Sequence, residues 1–142
     1  GGSIYWLMGL DRLLRVPTAG GPVVTLAGSL LAAEALAVDA NSAFFTESDA
    51  GRVSRIAAAG GSVEPIGGIA GGQVWYALTQ DADRLYWQTP LAVGGIAKDG
   101  STSTTIMGAP LSDIGVRGSV AVDDDYVYWA ETLIGAIKRA PK

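Results

Sequence analysis

The chain says nearly the same thing four times. Tyr5-Trp6, Phe44-Phe45, Tyr86-Trp87 and Tyr128-Trp129 are adjacent aromatic pairs, and their second members lie 39, 42 and 42 residues apart. Asp39, Asp81 and Asp123 stand ahead of the last three pairs at a strict 42-residue spacing. A period of this length, with aromatic and turn residues at fixed offsets, marks an array of like units.

Written out, each period holds four short segments. The first is apolar and ends in Asp: Ala35 to Asp39, Ala77 to Asp81 and Ser119 to Asp123. A polar turn follows, with Asn41, Asp83 or Asp125 two positions later. The second segment is the aromatic one. The third reads apolar-x-basic: Leu13-Leu14-Arg15, Val53-Ser54-Arg55, Ile96-Ala97-Lys98 and Ile137-Lys138-Arg139. Turns at Gly20-Gly21, Gly60-Gly61 and Asp99-Gly100 lead to a β-prone fourth segment, Val23 to Leu26, Val63 to Ile66 and Thr104 to Met107. Apolar–polar alternation over a few residues, bounded by Gly, Asp and Asn, predicts strands joined by tight turns. Leu30 to Val38, rich in Ala and Leu, has the propensity of a helix. The same slot in the later periods reads as strand, so the periodicity predicts strand there too.

The expected fold is all-β: β-propeller blades, each a four-stranded antiparallel repeat of about 42 residues. The length suits a single domain. Its repeats run approximately over 1–39, 40–81 and 82–123, with a partial one at 124–142. Fourteen segments do not divide into whole blades of four. Three arrangements stay open: a piece of a longer propeller, a ring completed by other chains, or a small four-bladed ring with incomplete first and last blades. Open ends expose unpaired strand edges and the faces of the terminal blades, which favours self-association.

The run Asp83-Arg84-Leu85-Tyr86-Trp87, with Ile96 and Asp99-Gly100-Ser101 after it, resembles the YWTD repeat of six-bladed β-propellers. Val127 to Glu131 with Ile137 to Arg139 is similar to the same pattern. Where YWTD proteins carry Thr-Asp after the Trp, this chain has Leu7-Met8, Thr46-Glu47, Gln88-Thr89 and Ala130-Glu131. That departure favours a broader, TolB-like bacterial propeller kinship, which implies a fold and a binding habit rather than a reaction. Low charge, abundant Ala and Gly and this resemblance imply a bacterial, extracytoplasmic protein, secreted or periplasmic, with any signal peptide already removed.

The chain contains no histidine and no cysteine. That removes the commonest general base, the usual partner of a nucleophilic serine, and thiolate metal sites. A net charge of −4 gives no electrostatic footprint for nucleic acid. No apolar run is long enough to be a helical membrane span. The Asp-x-Asp/Asn pairs have the oxygen chemistry of calcium ligands, but their recurrence with the fold reads as turn-capping instead. The glycines from Gly67 to Gly72 lack the Lys and the context of a phosphate loop. Arg15, Arg55, Lys98 and Arg139 read as solvated or as structural partners of the repeat's acids. No metal or cofactor is expected.

Positions that break the repeat are the better functional clues, because the fold does not require them. Trp75-Tyr76 stands where other copies have Ala33-Glu34 and Arg117-Gly118. On an inner strand these positions would gather Trp75, Tyr76, Glu34 and Arg117 at one mouth of the central channel, a pocket for a small polar or glycan ligand. The loops over Pro90 to Gly95 and Leu111 to Gly118 are the other irregular stretches. The expected function is a non-catalytic binding or scaffold module for a protein or glycan partner, self-associating through its open blade ends. Two alternatives are a carboxylate- and metal-dependent hydrolase or lactonase on a complete propeller, and a structural subunit of an extracellular assembly.

Overall fold

A computed structural model describes residues 2–68, 77–90, 92–108, 118–131 and 134–142. Among these, every regular element is a β-strand, and the strands form four antiparallel sheets. The first sheet is β1 (Ser3–Met8), β2 (Arg12–Pro17) and β3 (Val24–Ala27). The second is β4 (Ala33–Val38), β5 (Ser42–Glu47), β6 (Arg52–Ala57) and β7 (Glu64–Gly68). The third is β8 (Ala77–Gln80), β9 (Arg84–Gln88), β10 (Ala92–Ala97) and β11 (Ser103–Gly108), and the fourth is β12 (Val120–Val122), β13 (Tyr126–Glu131) and β14 (Ala136–Pro141). Within each sheet the order in space is the order in sequence, an up-and-down meander.

The sheets stand side by side as blades. Their inner strands meet, β4 against β8 and β8 against β12. The Ala- and Leu-rich segment is strand β4, as the periodicity predicts. Its residues alternate between the two faces of a sheet that is covered on both sides, so burial decides against helical propensity.

The aromatic pair makes the blades stack. Successive side chains on a strand point to opposite faces. Phe45 therefore packs with Leu13, Ala27 and Ile56 between the first and second blades, while Phe44 packs with Leu85, Trp87 and Ile96 between the second and third. Tyr86 in turn lies with Val127 and Trp129 between the third and fourth. In the two middle dyads the second aromatic faces the preceding blade and the first faces the following one; Tyr5 and Trp129 keep the same rule at the ends.

One column of the repeat differs from the sequence expectation. Arg15, Arg55 and Arg139 pair across the strands with Tyr5, Phe44 and Tyr128, but the partner of Tyr86 is Gly95. Strand β10 begins at Ala92, so Val93-Gly94-Gly95 is strand rather than loop, and Lys98 lies beyond the strand's end. The hairpin between β9 and β10 is short: Trp87 lies 8 residues before Gly95, against 10 from Phe45 to Arg55. The apolar-x-basic pattern had matched Ile96-Ala97-Lys98 three positions too late.

Gly94 is where Trp87 needs space. A Cβ there would collide with the Trp87 ring and with the Thr104 carbonyl oxygen. Trp87 itself is 2 % exposed. Replacing Trp87 with Ala is expected to lower stability by about 3–5 kcal/mol, and Gly94→Ala by about 1–3 kcal/mol through overpacking. Urea denaturation followed by circular dichroism checks both; a Gly94→Ala variant as stable as the parent would show that the ring has room to move.

Candidate functional site

Each turn between the first and second segments is built on its Asp. Asp39 Oδ1 accepts the N–H groups of Asn41 and Ser42, each at 2.9 Å. Asp81 Oδ1 accepts those of Asp83 and Arg84 at 3.0 and 2.8 Å, and Asp123 Oδ1 those of Asp125 and Tyr126 at 2.9 and 2.8 Å. This is the turn-capping role expected of the Asp-x-Asp/Asn pairs.

The second carboxylate oxygens of Asp39 and Asp81 bond to the next blade. Lys98 Nζ of the third blade donates to Asp39 Oδ2 of the second at 2.9 Å. Lys142 Nζ of the fourth donates to Asp81 Oδ2 of the third at 2.8 Å, beside the Tyr86 hydroxyl at 2.9 Å. The two lysines also sit over the aromatic rings of those blades, 5.4 Å from Phe44 and 5.9 Å from Tyr86. Lys98 and Lys142 occupy the same place in their blades: their N–H groups bond the carbonyls of Asp83 and Asp125. Thr18 and Ala58 fill that place in the first two blades, bonded to Gly2 and Asn41.

Arginines reach across in the opposite direction, toward the following blade. Arg15 Nη1 donates to the Ala58 carbonyl at 2.7 Å, with the Tyr5 hydroxyl at 3.4 Å from the same oxygen. Arg55 Nη1 donates to the Lys98 carbonyl at 3.4 Å. The recurring arginines are therefore clamps between blades, and Lys98 belongs to a second clamp rather than to their column. The signal that separates the two was the match of Lys98 with Lys142, one blade apart.

These contacts set the electrostatics. Burial acts to raise the Asp39 carboxyl, but the hydrogen bonds from Lys98, Asn41 and Ser42 outweigh it and hold it below the ordinary range. Asp81 is lowered much further, burial again being overcome, by Lys142, Arg84, Tyr86 and Asp83. Burial and the bond to Asp81 push the Tyr86 phenol up to about 12. Two further carboxylates are buried in the sheets. Burial raises Glu47, but Arg52 Nε at 2.8 Å, Ser54 and the Leu31 N–H hold it down on balance, and Glu131 is ion-paired with Lys138 at 2.8 Å.

Of the four positions singled out from the sequence, Glu34 is described. It is exposed at the start of β4 and accepts the Ser48 hydroxyl at 2.6 Å. Trp75, Tyr76 and Arg117 lie outside the described residues, as does Leu111 to Arg117 of the irregular link.

The fourth blade's outer face carries the clamp groups with no further blade beside them. Asp123 Oδ2 accepts the Tyr128 hydroxyl at 2.6 Å, a bond that holds the Asp123 carboxyl down. Arg139 lies over the Tyr126 ring at 4.3 Å. Next to them Ser119, Ala121, Tyr128, Trp129, Ala130 and Ile137 line a shallow groove of about 320 Å³.

Comparison with known proteins places this architecture. No protein-family model matches the chain, and no curated protein does. Among solved structures it is similar to nidogen from a nidogen–laminin complex, with a TM-score of 0.78 at 14% identity, over 98% of this chain and 55% of that one. It is similar to virginiamycin B lyase from Staphylococcus aureus, TM-score 0.75 at 18% identity, over 99% of this chain and 52% of that one. It also matches the extracellular domain of a one-component system from B. thetaiotaomicron, TM-score 0.69 at 13% identity, over 97% of this chain and 20% of that one. The chain spans about half the length of the first two.

Removing the Lys98 ammonium tests the clamp. Lys98→Met is expected to cost about 1 kcal/mol at pH 7, since both partners are mostly shielded from water. Because the folded Asp39 carboxyl lies below its unfolded value of about 3.9, this contribution is present above that value and fades as pH falls beneath it. Urea titrations at pH 7 and pH 3 should show the gap between parent and variant narrowing; a gap independent of pH would assign the loss to the lysine's packing instead. Meandering sheets, meeting inner strands, three apolar seams and these structural matches together make the chain an arc of a β-propeller.

Proposed function

We propose that this chain is a non-catalytic binding or scaffold module, bacterial and extracytoplasmic, which offers the mouth of its channel to a protein or glycan partner. It joins further copies through its open blade faces. The observation that carries this reading is the employment of its carboxylates. Asp39, Asp81 and Asp123 cap turns, Asp39 and Asp81 also lock blades, and Glu47 and Glu131 are buried in ion pairs. Those whose titration is shifted are shifted down, so at neutral pH they are anions already bonded, with no proton to give as general acids.

The neighbours' own descriptions span both classes. Nidogen is seen bound to laminin, and the B. thetaiotaomicron match is an extracellular domain, which supports protein binding outside the cytoplasm. The lyase is the counterexample. One of its structures is described as catalytically inactive with a histidine replaced by alanine and as holding quinupristin, and this chain has no histidine.

Trp75, Tyr76, Glu34 and Arg117 are the proposed contacts, because they depart from the repeat at the start of its inner segment. An aromatic pair beside one acid and one arginine suits a sugar ring with polar substituents. The test is an array of defined oligosaccharides probed with the chain and with Trp75→Ala. Retained melting temperature with at least tenfold weaker binding is expected; a loss of several degrees would return Trp75 to a packing role. Incubation with quinupristin, followed by liquid chromatography, is expected to yield no new product, and a new peak would overturn the non-catalytic assignment.

A further inference from the structure

We propose that the outer edge of β11 takes up an extended segment of a partner protein as an added strand, with an acidic side chain of that segment on Arg84. This is a second surface, at the rim of the sheet rather than at the channel mouth proposed above, and it stands independently of that site. The third blade holds four strands and has a blade on each side; β8 is its inner strand and β11 its rim. An edge strand shows a row of backbone N–H and C=O groups without partners, and proteins blunt such edges with charge, proline or short length. The outer strands of the first two blades are blunted in these ways. β3 is four residues long, and β7 opens on Glu64 and Pro65, a charge followed by a residue with no N–H. β11 is six residues long and carries neither a charged residue nor a proline.

Register aligns the two outer strands residue by residue. Ser54 and Arg55 pair with Pro65 and Glu64; their counterparts Gly94 and Gly95 pair with Thr105 and Thr104. Thr105 therefore stands in the place of Pro65, where the ladder needs no N–H, and turns its own N–H outward. The Thr102 carbonyl is bonded inward by Ala97, and alternation along an antiparallel pair likewise turns Ser103 and Thr105 outward. Ser103, Thr104 and Thr105 are all exposed. Charge at this edge is the independent observation. In the second blade the Arg55 guanidinium meets Glu64 of the outer strand at 2.9 Å. In the third blade the guanidinium is that of Arg84, which reaches over β10 to donate to the Thr102 and Thr104 hydroxyls at 3.0 and 2.7 Å. Among the described residues no carboxylate forms an ion pair with it. The acid is thus missing at the same edge that is free to pair, and a strand added there would bring one to Arg84. Such strand addition takes its affinity from main-chain bonds and its specificity from alternate side chains.

Fluorescence anisotropy with a library of labelled short peptides reads the edge directly. Its members alternate threonine and valine, with the central residue varied through all types. Those with a central aspartate or glutamate are expected to bind about tenfold tighter than those with lysine, the worth of one charge-assisted hydrogen bond. Arg84→Gln should erase that preference. Thr105→Pro removes an outward N–H and copies Pro65 of the second blade, so it should keep the melting temperature and lose the binding. N-methylation of the peptides' alternate amides removes the same bonds from the other side and should abolish binding to the parent, whether or not Thr105→Pro folds. Trp75→Ala should bind the peptides as the parent does. No binding by any member, binding blind to the central charge, or binding that survives N-methylation would each overturn the proposal. Loss of peptide binding in Trp75→Ala would overturn it by moving the site to the channel mouth. A light-scattering mass of twice 14.5 kDa that Thr105→Pro halves would give the edge to a second copy and overturn the external partner. Oligosaccharide binding by a chain that takes no peptide would leave the channel-mouth reading standing while removing this edge.

Discussion

The interdigitation of neighbouring sheets is what everything else in this chain depends on. A single blade of three or four short strands cannot bury its own apolar faces and needs a neighbour stacked on them. Here the sheet uses both faces. Phe44 and Phe45, adjacent in sequence, serve two different cores, and Tyr86 and Trp87 repeat the arrangement one blade on. The middle blades are consequently buried almost throughout β5, β9 and β10. The end blades have the same composition and half the company, which is why Ile4 and Ile137 face water.

Above these apolar seams lies a polar layer with the same period. One Asp oxygen closes a turn within its own blade, and the other is left for a donor from the next blade. That division of labour makes a single carboxylate both a local and a long-range constraint. It also orients the array, because lysines reach back toward the preceding blade while arginines reach forward to a backbone carbonyl. At the third blade Gly95 replaces the arginine, and there Tyr86 and Lys142 hold Asp81 between them.

Much of this was legible from residues alone. The spacing of the aromatic pairs and of Asp39, Asp81 and Asp123 predicted blades of four strands, and it overrode the helical propensity of Leu30 to Val38. The turn role of the Asp residues followed from their side-chain chemistry. The third repeat departs from the sequence pattern at one point, because a shortened hairpin puts Val93-Gly94-Gly95 in the strand while Ile96-Ala97-Lys98 imitates the pattern. Of the channel-mouth cluster only Glu34 lies among the described residues, bonded to Ser48, so that site stands as a reading of the repeat's exceptions.

The sequence by itself determined the period, the strand content and which residues close the turns, because those depend on alternation and on bonds between residues two or three apart. Only the tertiary structure decided which aromatic faces which neighbour and which cation meets which carboxylate. Lys98 lies 59 residues from Asp39 and Lys142 lies 61 from Asp81, distances across which no local pattern carries information. Register between strands fixes those pairings, and one shortened hairpin is enough to move a lysine from one column to another.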